Sequence, residues 1–352
     1  MNRNTRYRAG LAGVALAALA LTGCANGDSA KGDAATGGYG DLTGELKASG
    51  ASFPDAYYQE VIATFKDAAP KVTVTYNAVG SGTGKEEFGK GLTDFAGTDS
   101  LVKDGQGPKP GEFLYVPTVA APITVSYNLD GVAALKLSPD TLAKIFQRTV
   151  KVWNAPEIAA DNAGVTLPAT PITVVHRADG SGTTSNFTKY LAAASPLWKL
   201  GSGDTVAWPA DTQAGNKNTG VAQLIQQGKG AIGYVDLSDA TETKLTFASV
   251  KNKAGEFVAP TLAGATAALG GATVAADLSY SPLDSAGAGA YPITAPTFLL
   301  VKAKYADAEK AKLVKGFVKY LLTDGRAAAA EVHFAVLPEA LKAKALAQLD
   351  KI

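Results

Sequence analysis

Three times in this chain a run of apolar and β-branched residues stops at a cluster of Gly, Ser and Thr, and a helix-compatible segment starts at once. The first is Gly50-Ala51-Ser52-Phe53-Pro54, after a predicted strand around Leu46. The second is Gly80-Ser81-Gly82-Thr83-Gly84, after the alternating strand Val72 to Val79. The third runs from Arg177 to Thr184 and follows a short buried strand, Ile172 to Val175. A strand that turns sharply into a helix is the half-unit of α/β folding. The rest of the chain continues the alternation. Pro54 to Ala69 predicts a helix with Pro in its first turn, and Phe113 to Leu129 a long extended run. Ser138-Pro139 opens a further helix with a cap residue followed by Pro, and Thr183 to Ala194 and Thr219 to Gln227 predict two more. Ala231 to Leu237 and Tyr291 to Val301 predict strands. Leu313, Phe317, Tyr320 and Leu321 form the buried stripe of a helix over 307–323, with Gly325 as its stop. The expectation is an α/β protein with largely parallel sheets, whose ligand sits where strand ends meet helix starts.

The 352 residues suffice for two domains. Cys24 is the only cysteine, so no internal disulfide is possible and the fold must rest on its core. The N-terminus reads as a targeting segment. Arg3, Arg6 and Arg8 precede an apolar run, Leu11 to Leu21, too short to span a bilayer as a mature helix. Leu21-Thr22-Gly23-Cys24 resembles the bacterial lipobox, which implies cleavage of residues 1–23, lipidation of Cys24 and attachment to the extracytoplasmic face of the cell membrane. Residues 24–44 are small and polar and read as a flexible tether. Loss of the three leader arginines from the 33 basic residues leaves 30 against 32 acidic ones. The mature chain is not globally basic. That argues against nucleic-acid binding and requires any anion site to be built locally.

The three junctions have the chemistry for such a site. A helix N-terminus exposes unpaired N–H groups and about half a positive charge. Gly lets backbone approach an anion closely, and Ser and Thr add hydroxyl donors. Arg177 would add a cation with a planar fork of donors, oriented by Asp179 two residues on. Taken singly, each feature has an ordinary explanation: a Gly-Ser-Gly turn is usually only a turn, Arg177 with Asp179 a surface pair, Ser52 a helix cap. Their recurrence in one α/β chain is what points to a site. Gly80 to Lys85 is not a Walker A loop, because Val79 and Glu86 occupy its outer positions. Nor is there a dinucleotide fingerprint, since Glu87 replaces the third Gly counted from Gly82. No His, Cys or carboxylate cluster has metal-ligand spacing, and no cofactor is expected.

These segments resemble the phosphate-binding protein of the bacterial high-affinity phosphate ABC transporter, the PstS family. The resemblance covers nearly the whole chain from about Leu46 and is most specific at Arg177 to Thr183 and Gly50 to Pro54. Asp94-Phe95-Ala96-Gly97-Thr98-Asp99 matches the segment that ends in a ligand-contacting Asp. Gly230 to Val235 and Tyr291-Pro292-Ile293 match flanking landmarks with a structural reading. The resemblance implies a two-lobed, clamshell periplasmic-binding-protein fold with two crossover strands at the hinge. Residues 45–120 and 290–352 would form the first lobe and 121–289 the second. It implies a monomeric carrier that passes inorganic phosphate to permease subunits and meets the membrane only through its lipid. Ser52, Ser81, Ser181 and Thr183 would supply hydroxyls, and Phe53, Ser81, Ser181, Gly182 and Thr183 N–H groups. Arg177, braced by Asp179, would pair with the anion, and Asp99 would accept a proton-bearing ligand oxygen. Ser52 stands where the family often has Thr, and Ser49 replaces a frequent Gly.

Three other functions fit the residues less well. Sulfate or another oxyanion is disfavoured by Asp99, which would repel a fully deprotonated dianion. A serine hydrolase or phosphatase would use Ser181 with one of the two His residues, but Asp179 and Thr183 fill the outer positions of the nucleophile-elbow pattern. His176 should point away from the loop, and His333 has only Glu331 nearby. The expectation is therefore not an enzyme. A stalk or adhesin would show repeats, and none is present.

Overall fold

The computed structural model describes residues 38–352. The leader, Cys24 and most of the expected tether lie outside the described residues. The last residues of that tether segment are part of the core instead. Tyr39 and Leu42 are buried, and the Tyr39 ring packs edge-on against Phe65 and Tyr320.

The strands are β1 (Gly44–Gly50), β2 (Val72–Ala78), β3 (Phe95–Thr98), β4 (Phe113–Tyr127), β5 (Lys136–Leu137), β6 (Thr173–Arg177), β7 (Gln213–Gly215), β8 (Ala231–Asp236), β9 (Thr246–Phe247), β10 (Ser249–Lys251), β11 (Phe257–Val258), β12 (Thr294–Lys302) and β13 (Ala335–Val336). The α-helices are α1 (Asp55–Ala68), α2 (Ser81–Gly89), α3 (Pro139–Phe146), α4 (Pro156–Asp161), α5 (Gly182–Ala194), α6 (Lys217–Gln227), α7 (Leu237–Glu242), α8 (Leu262–Gly270), α9 (Ala308–Leu322), α10 (Ala328–Glu331) and α11 (Glu339–Gln348). Local sequence explains several boundaries. The Ser138 hydroxyl accepts the Thr141 N–H and caps α3, with Pro139 in the first turn. Asp307 accepts from Glu309 and Lys310 at the start of α9. Gly325, expected as the stop of α9, instead lies in the 3-10 turn Asp324–Ala327, where a side chain would come within 2.9 Å of the Tyr320 ring.

The main sheet runs β2-β1-β3-β12-β4-β8-β6-β7. It is parallel only within each lobe: β1 with β2 and β3 in one, β6 with β7 and β8 in the other. At the centre β12 runs antiparallel to β3 and β4, and β4 antiparallel to β8. This mixed pattern departs from the largely parallel expectation for a simple reason: a chain that crosses between lobes and returns must run in opposite directions. Residues between Phe113 and Pro122 of β4 pair with β12, and Ile123 to Tyr127 pair with β8, so one 15-residue strand serves both lobes. Pro117 and Pro122 of β4 and Pro296 of β12 interrupt this central ladder, because Pro has no N–H to donate, and the register slips between Pro296 and Phe298. Bending is easiest where such bonds are missing.

The core continues through both lobes, with a smaller cluster under α6 that includes Val175, Val221, Ile225 and Val235. Aromatic contacts fasten the lobe of β1 to β3, where Phe65 packs on Phe317 and Phe317 stacks on Phe95. In the other lobe Phe187 stacks on Tyr234, at 4.4 Å between ring centres. α8, within 121–289, packs against β4, β12 and β13 through a face that buries Ala265 and Leu269. Among the described residues no helix is long and apolar enough to cross a membrane.

Candidate oxyanion site

The three sequence junctions leave the C-terminal ends of β1, β2 and β6 and meet between the lobes. Gly80 precedes α2 with φ +90°, a conformation that L side chains rarely adopt. A Cβ there would also lie 2.4 Å from Asp179 Oδ2 and 2.7 Å from the Gly180 oxygen. One residue pair on, the Gly82 N–H donates to the Gly180 oxygen at 2.9 Å, so the two lobes touch backbone to backbone. At Gly182 a Cβ would sit 2.6 Å from Ser81 Oγ and 2.8 Å from Asp99 Oδ2. The first residues of α2 and α5, from opposite lobes, therefore face each other with Asp99 beside them. Both dipoles present their positive ends to the same place.

The donors there are partly uncommitted. Ser181 caps α5 by accepting the Thr184 N–H at 3.1 Å, and the first intrahelical bond runs from Ser185 N–H to the Ser181 oxygen. Gly182 and Thr183 N–H precede that bond and are free of intrahelical partners, whereas the Ser181 N–H, expected to face the anion, is taken by the Asp204 backbone oxygen at 2.9 Å, which leaves Ser181 its hydroxyl. Ser181 and Ser52 use their oxygens as acceptors, Ser52 from Asn218 N–H at 3.2 Å, which leaves both hydroxyl hydrogens to donate. Thr183 Oγ1 is buried without a protein hydrogen-bond partner. Phe53 is buried edge-on against Phe334.

The charged groups are buried too. Arg177 has a side chain 1 % exposed, and it donates from Nε to Asp179 Oδ1 at 2.8 Å, from Nη2 to Asp179 Oδ2, and from Nη1 to Asn218 Oδ1 at 2.6 Å. Three of the five N–H groups are thus used, and one on each Nη remains. Burial alone would raise the Asp179 pKa. The hydrogen bond and charge of Arg177, with the Lys217 N–H at 3.1 Å, hold it below the ordinary carboxylate value.

Asp99 is only 2 % exposed. Its Oδ1 accepts from Thr297 Oγ1 at 2.7 Å, and its N–H donates to Ser81 Oγ at 3.2 Å. Burial pushes its pKa up to about 7, against the opposing effects of the Thr297 hydrogen bond and the Arg177 charge. The place where the loops meet therefore offers many donors, one fixed cation and one acceptor whose protonation changes near neutrality.

Comparison with known proteins gives the family. Residues 29–325 match the profile of the PBP superfamily domain. The phosphate-binding protein PstS of Methanocaldococcus jannaschii is 37 % identical over 310 residues, covering 80 % of this chain and 79 % of that protein. The chain belongs to the PstS family of phosphate-binding proteins. Phosphate-binding protein PstS 2 of Mycobacterium tuberculosis is 35 % identical over 326 residues, covering 88 % and 87 %. The phosphate-bound structure of PfluDING, a high affinity periplasmic phosphate-binding protein, superposes with a TM-score of 0.71 at 26 % identity, covering 86 % of this chain and 93 % of that one. The two-lobed fold of the family is the fold described above.

The site contains residues that sequence reasoning did not select. Asn218 joins its two halves: its N–H reaches Ser52, its Oδ1 accepts from Arg177, and its Nδ2 donates to Asp236 Oδ2 at 2.7 Å. Tyr234, read only as a landmark, accepts the Arg177 N–H at 3.3 Å and bonds Thr184 Oγ1 at 2.7 Å. Asn186 donates to the Asp99 backbone oxygen at 2.6 Å from the opposite lobe. Asn218 had a signal. The end of β7 at Gly215 and the start of α6 form a fourth strand-to-helix junction, but the predicted helix began at Thr219, one residue too late to include it.

Proposed function

We propose that this protein captures inorganic phosphate between its lobes and delivers it to the permease subunits of an ABC importer. Lipidation at Cys24 would hold it at the extracytoplasmic face of the cell membrane, and it would act as a monomer without turnover. The observation that carries the ligand assignment is the buried Asp99 carboxylate at the meeting point of two helix N-termini and Arg177. A site of donors alone suits any tetrahedral dianion. One acceptor among them suits an anion that brings a proton, and phosphate does so at neutral pH. In this reading Ser52, Phe53, Ser81, Arg177, Ser181, Gly182 and Thr183 donate, Asp99 accepts, and Asp179 orients Arg177.

The surroundings of His176 weigh against an enzyme. Its ring stacks on Trp208 at 4.9 Å between centres and bonds the Arg177 oxygen and Thr212 Oγ1. Burial keeps its pKa below the ordinary value, despite the Arg177 oxygen. With both nitrogens engaged it is not placed to activate Ser181. Calorimetry with phosphate, arsenate and sulfate tests the reading. At pH 9, where Asp99 is ionised, heat with phosphate and arsenate and little with sulfate is the expected result. A preference for sulfate, or release of phosphate from an aryl phosphate ester by the purified protein, would refute it.

A further inference from the structure

Among the described residues, and apart from those assigned to the anion, one ion pair crosses between the lobes beside the site. Lys85 lies on α2, one turn after Ser81. Its Nζ is 2.8 Å from Asp204 Oδ2, on the loop before β7 in the opposite lobe. The same Nζ donates to Ser100 Oγ at 3.0 Å and to the Leu101 oxygen at 3.4 Å. The Lys85 side chain is 1 % exposed and that of Asp204 13 %. All three ammonium donors are therefore matched to acceptors. Asp204 is tied to the site on its own side as well, because its backbone oxygen accepts the Ser181 N–H at 2.9 Å. The pair thus connects the start of α2, the loop that carries Asp99 and the cap of α5, the three places where the anion would be held.

We infer that Lys85 and Asp204 are a positioning pair that holds the lobes closed over the anion and sets how fast it is released. The inference rests on the phosphate reading above. Opening the lobes leaves Lys85 with its two same-lobe acceptors and separates it from its counter-charge. Separation forfeits the short-range attraction before water can reach either group fully, and a charge left buried without its partner is costly. The encounter between anion and open lobes precedes that contact, so association should be little affected. The Ser181 link adds a second effect: without Lys85, the Asp204 loop that fixes the α5 cap loses its main tether to the other lobe.

The test is stopped-flow binding of inorganic phosphate to wild type, Asp204→Asn, Asp204→Glu, Lys85→Met and the Lys85→Met/Asp204→Asn double variant, with calorimetry on each. Dissociation should be faster by about tenfold or more in Asp204→Asn and Lys85→Met, with association within about threefold of wild type. Asp204→Glu should recover part of the slow release. The double variant should release no faster than the faster single variant, because both remove the same contact. Thermal melts establish that each variant is folded, and Met suits the buried Lys85 position because its length and apolar stem are similar. Release within about twofold of wild type in both single variants would overturn the inference, as would effects that multiply in the double variant or a change confined to association. A wild type that binds no phosphate would overturn the functional proposal and this inference with it. Normal wild-type binding beside unchanged release in the variants would overturn the inference alone.

Discussion

Replacing Asp99 by Asn should change how the protein separates phosphate from sulfate, and by an amount that depends on pH. The two anions have nearly the same size, so sterics cannot distinguish them well. Sulfate carries no proton and can occupy the site only beside a protonated Asp99. Burial places that carboxyl at about 7. Below this value Asp99 is already protonated and sulfate binding should be flat with pH. Above it the proton must be supplied with the ligand, at about 1.4 kcal/mol, or tenfold in affinity, per pH unit. Wild-type affinity for sulfate should thus fall about fivefold from pH 7 to pH 8 and about tenfold more by pH 9. Phosphate keeps a proton of its own over this range and escapes the penalty. Asp99→Asn removes the titrating group and supplies an amide that can donate, so the sulfate slope should vanish. The variant should also lose one charge-assisted hydrogen bond to phosphate, about 1.5–3 kcal/mol or one to two decades. Near pH 8 the phosphate-to-sulfate ratio should therefore be at least about tenfold smaller in Asp99→Asn than in wild type. Competition calorimetry of both proteins across the pH series at one salt concentration measures it. Wild-type sulfate binding that stays flat up to pH 9, or the same slope in both proteins, would remove Asp99 from the ligand.

Arg177→Ala should weaken phosphate binding by about two to four decades, since two N–H groups at about 1.5–3 kcal/mol each are lost, and Arg177→Lys should recover only part because an ammonium lacks the fork; titration calorimetry decides, and a loss under about threefold would remove Arg177 from the site. Gly182→Ala places a methyl 2.6 Å from Ser81 Oγ and should keep the lobes from closing, seen as a larger radius of gyration in solution scattering with phosphate present; scattering identical to wild type would contradict this. Cys24→Ala should be processed poorly or released from cells, read by membrane fractionation, whereas retention on membranes after a salt wash would count against lipidation.

Much of the fold was legible because it is built from strong local signals. The alternation at Val72 to Ala78, the cap at Ser138 and the glycines flanking Ser81 all act within a few residues of where they are read. The sheet's direction was less legible. Whether β12 runs with or against β4 depends on how the lobes are connected, and no local pattern encodes that. Tyr39 was misassigned because its neighbours are small and polar; only its fit against Phe65 and Tyr320, distant in sequence, makes it part of the core. The site followed the same rule. Arg177 and Asp179 are two residues apart, and their pairing can be read directly. Thr297 meets Asp99 across 198 residues, and Lys85 meets Asp204 across 119, so neither contact leaves a mark in either segment.

An oxyanion held where α2, α5, Asp99 and Arg177 meet can be seen directly. Anomalous diffraction from crystals grown with arsenate, a phosphate analogue with a strong arsenic signal, would locate it without ambiguity. One arsenic peak is expected between the first residues of α2 and α5, with oxygens within hydrogen-bond reach of Ser81, Asp99, Arg177 and Thr183. An arsenic peak elsewhere, or well-ordered closed lobes with none at this position under saturating arsenate, would contradict it.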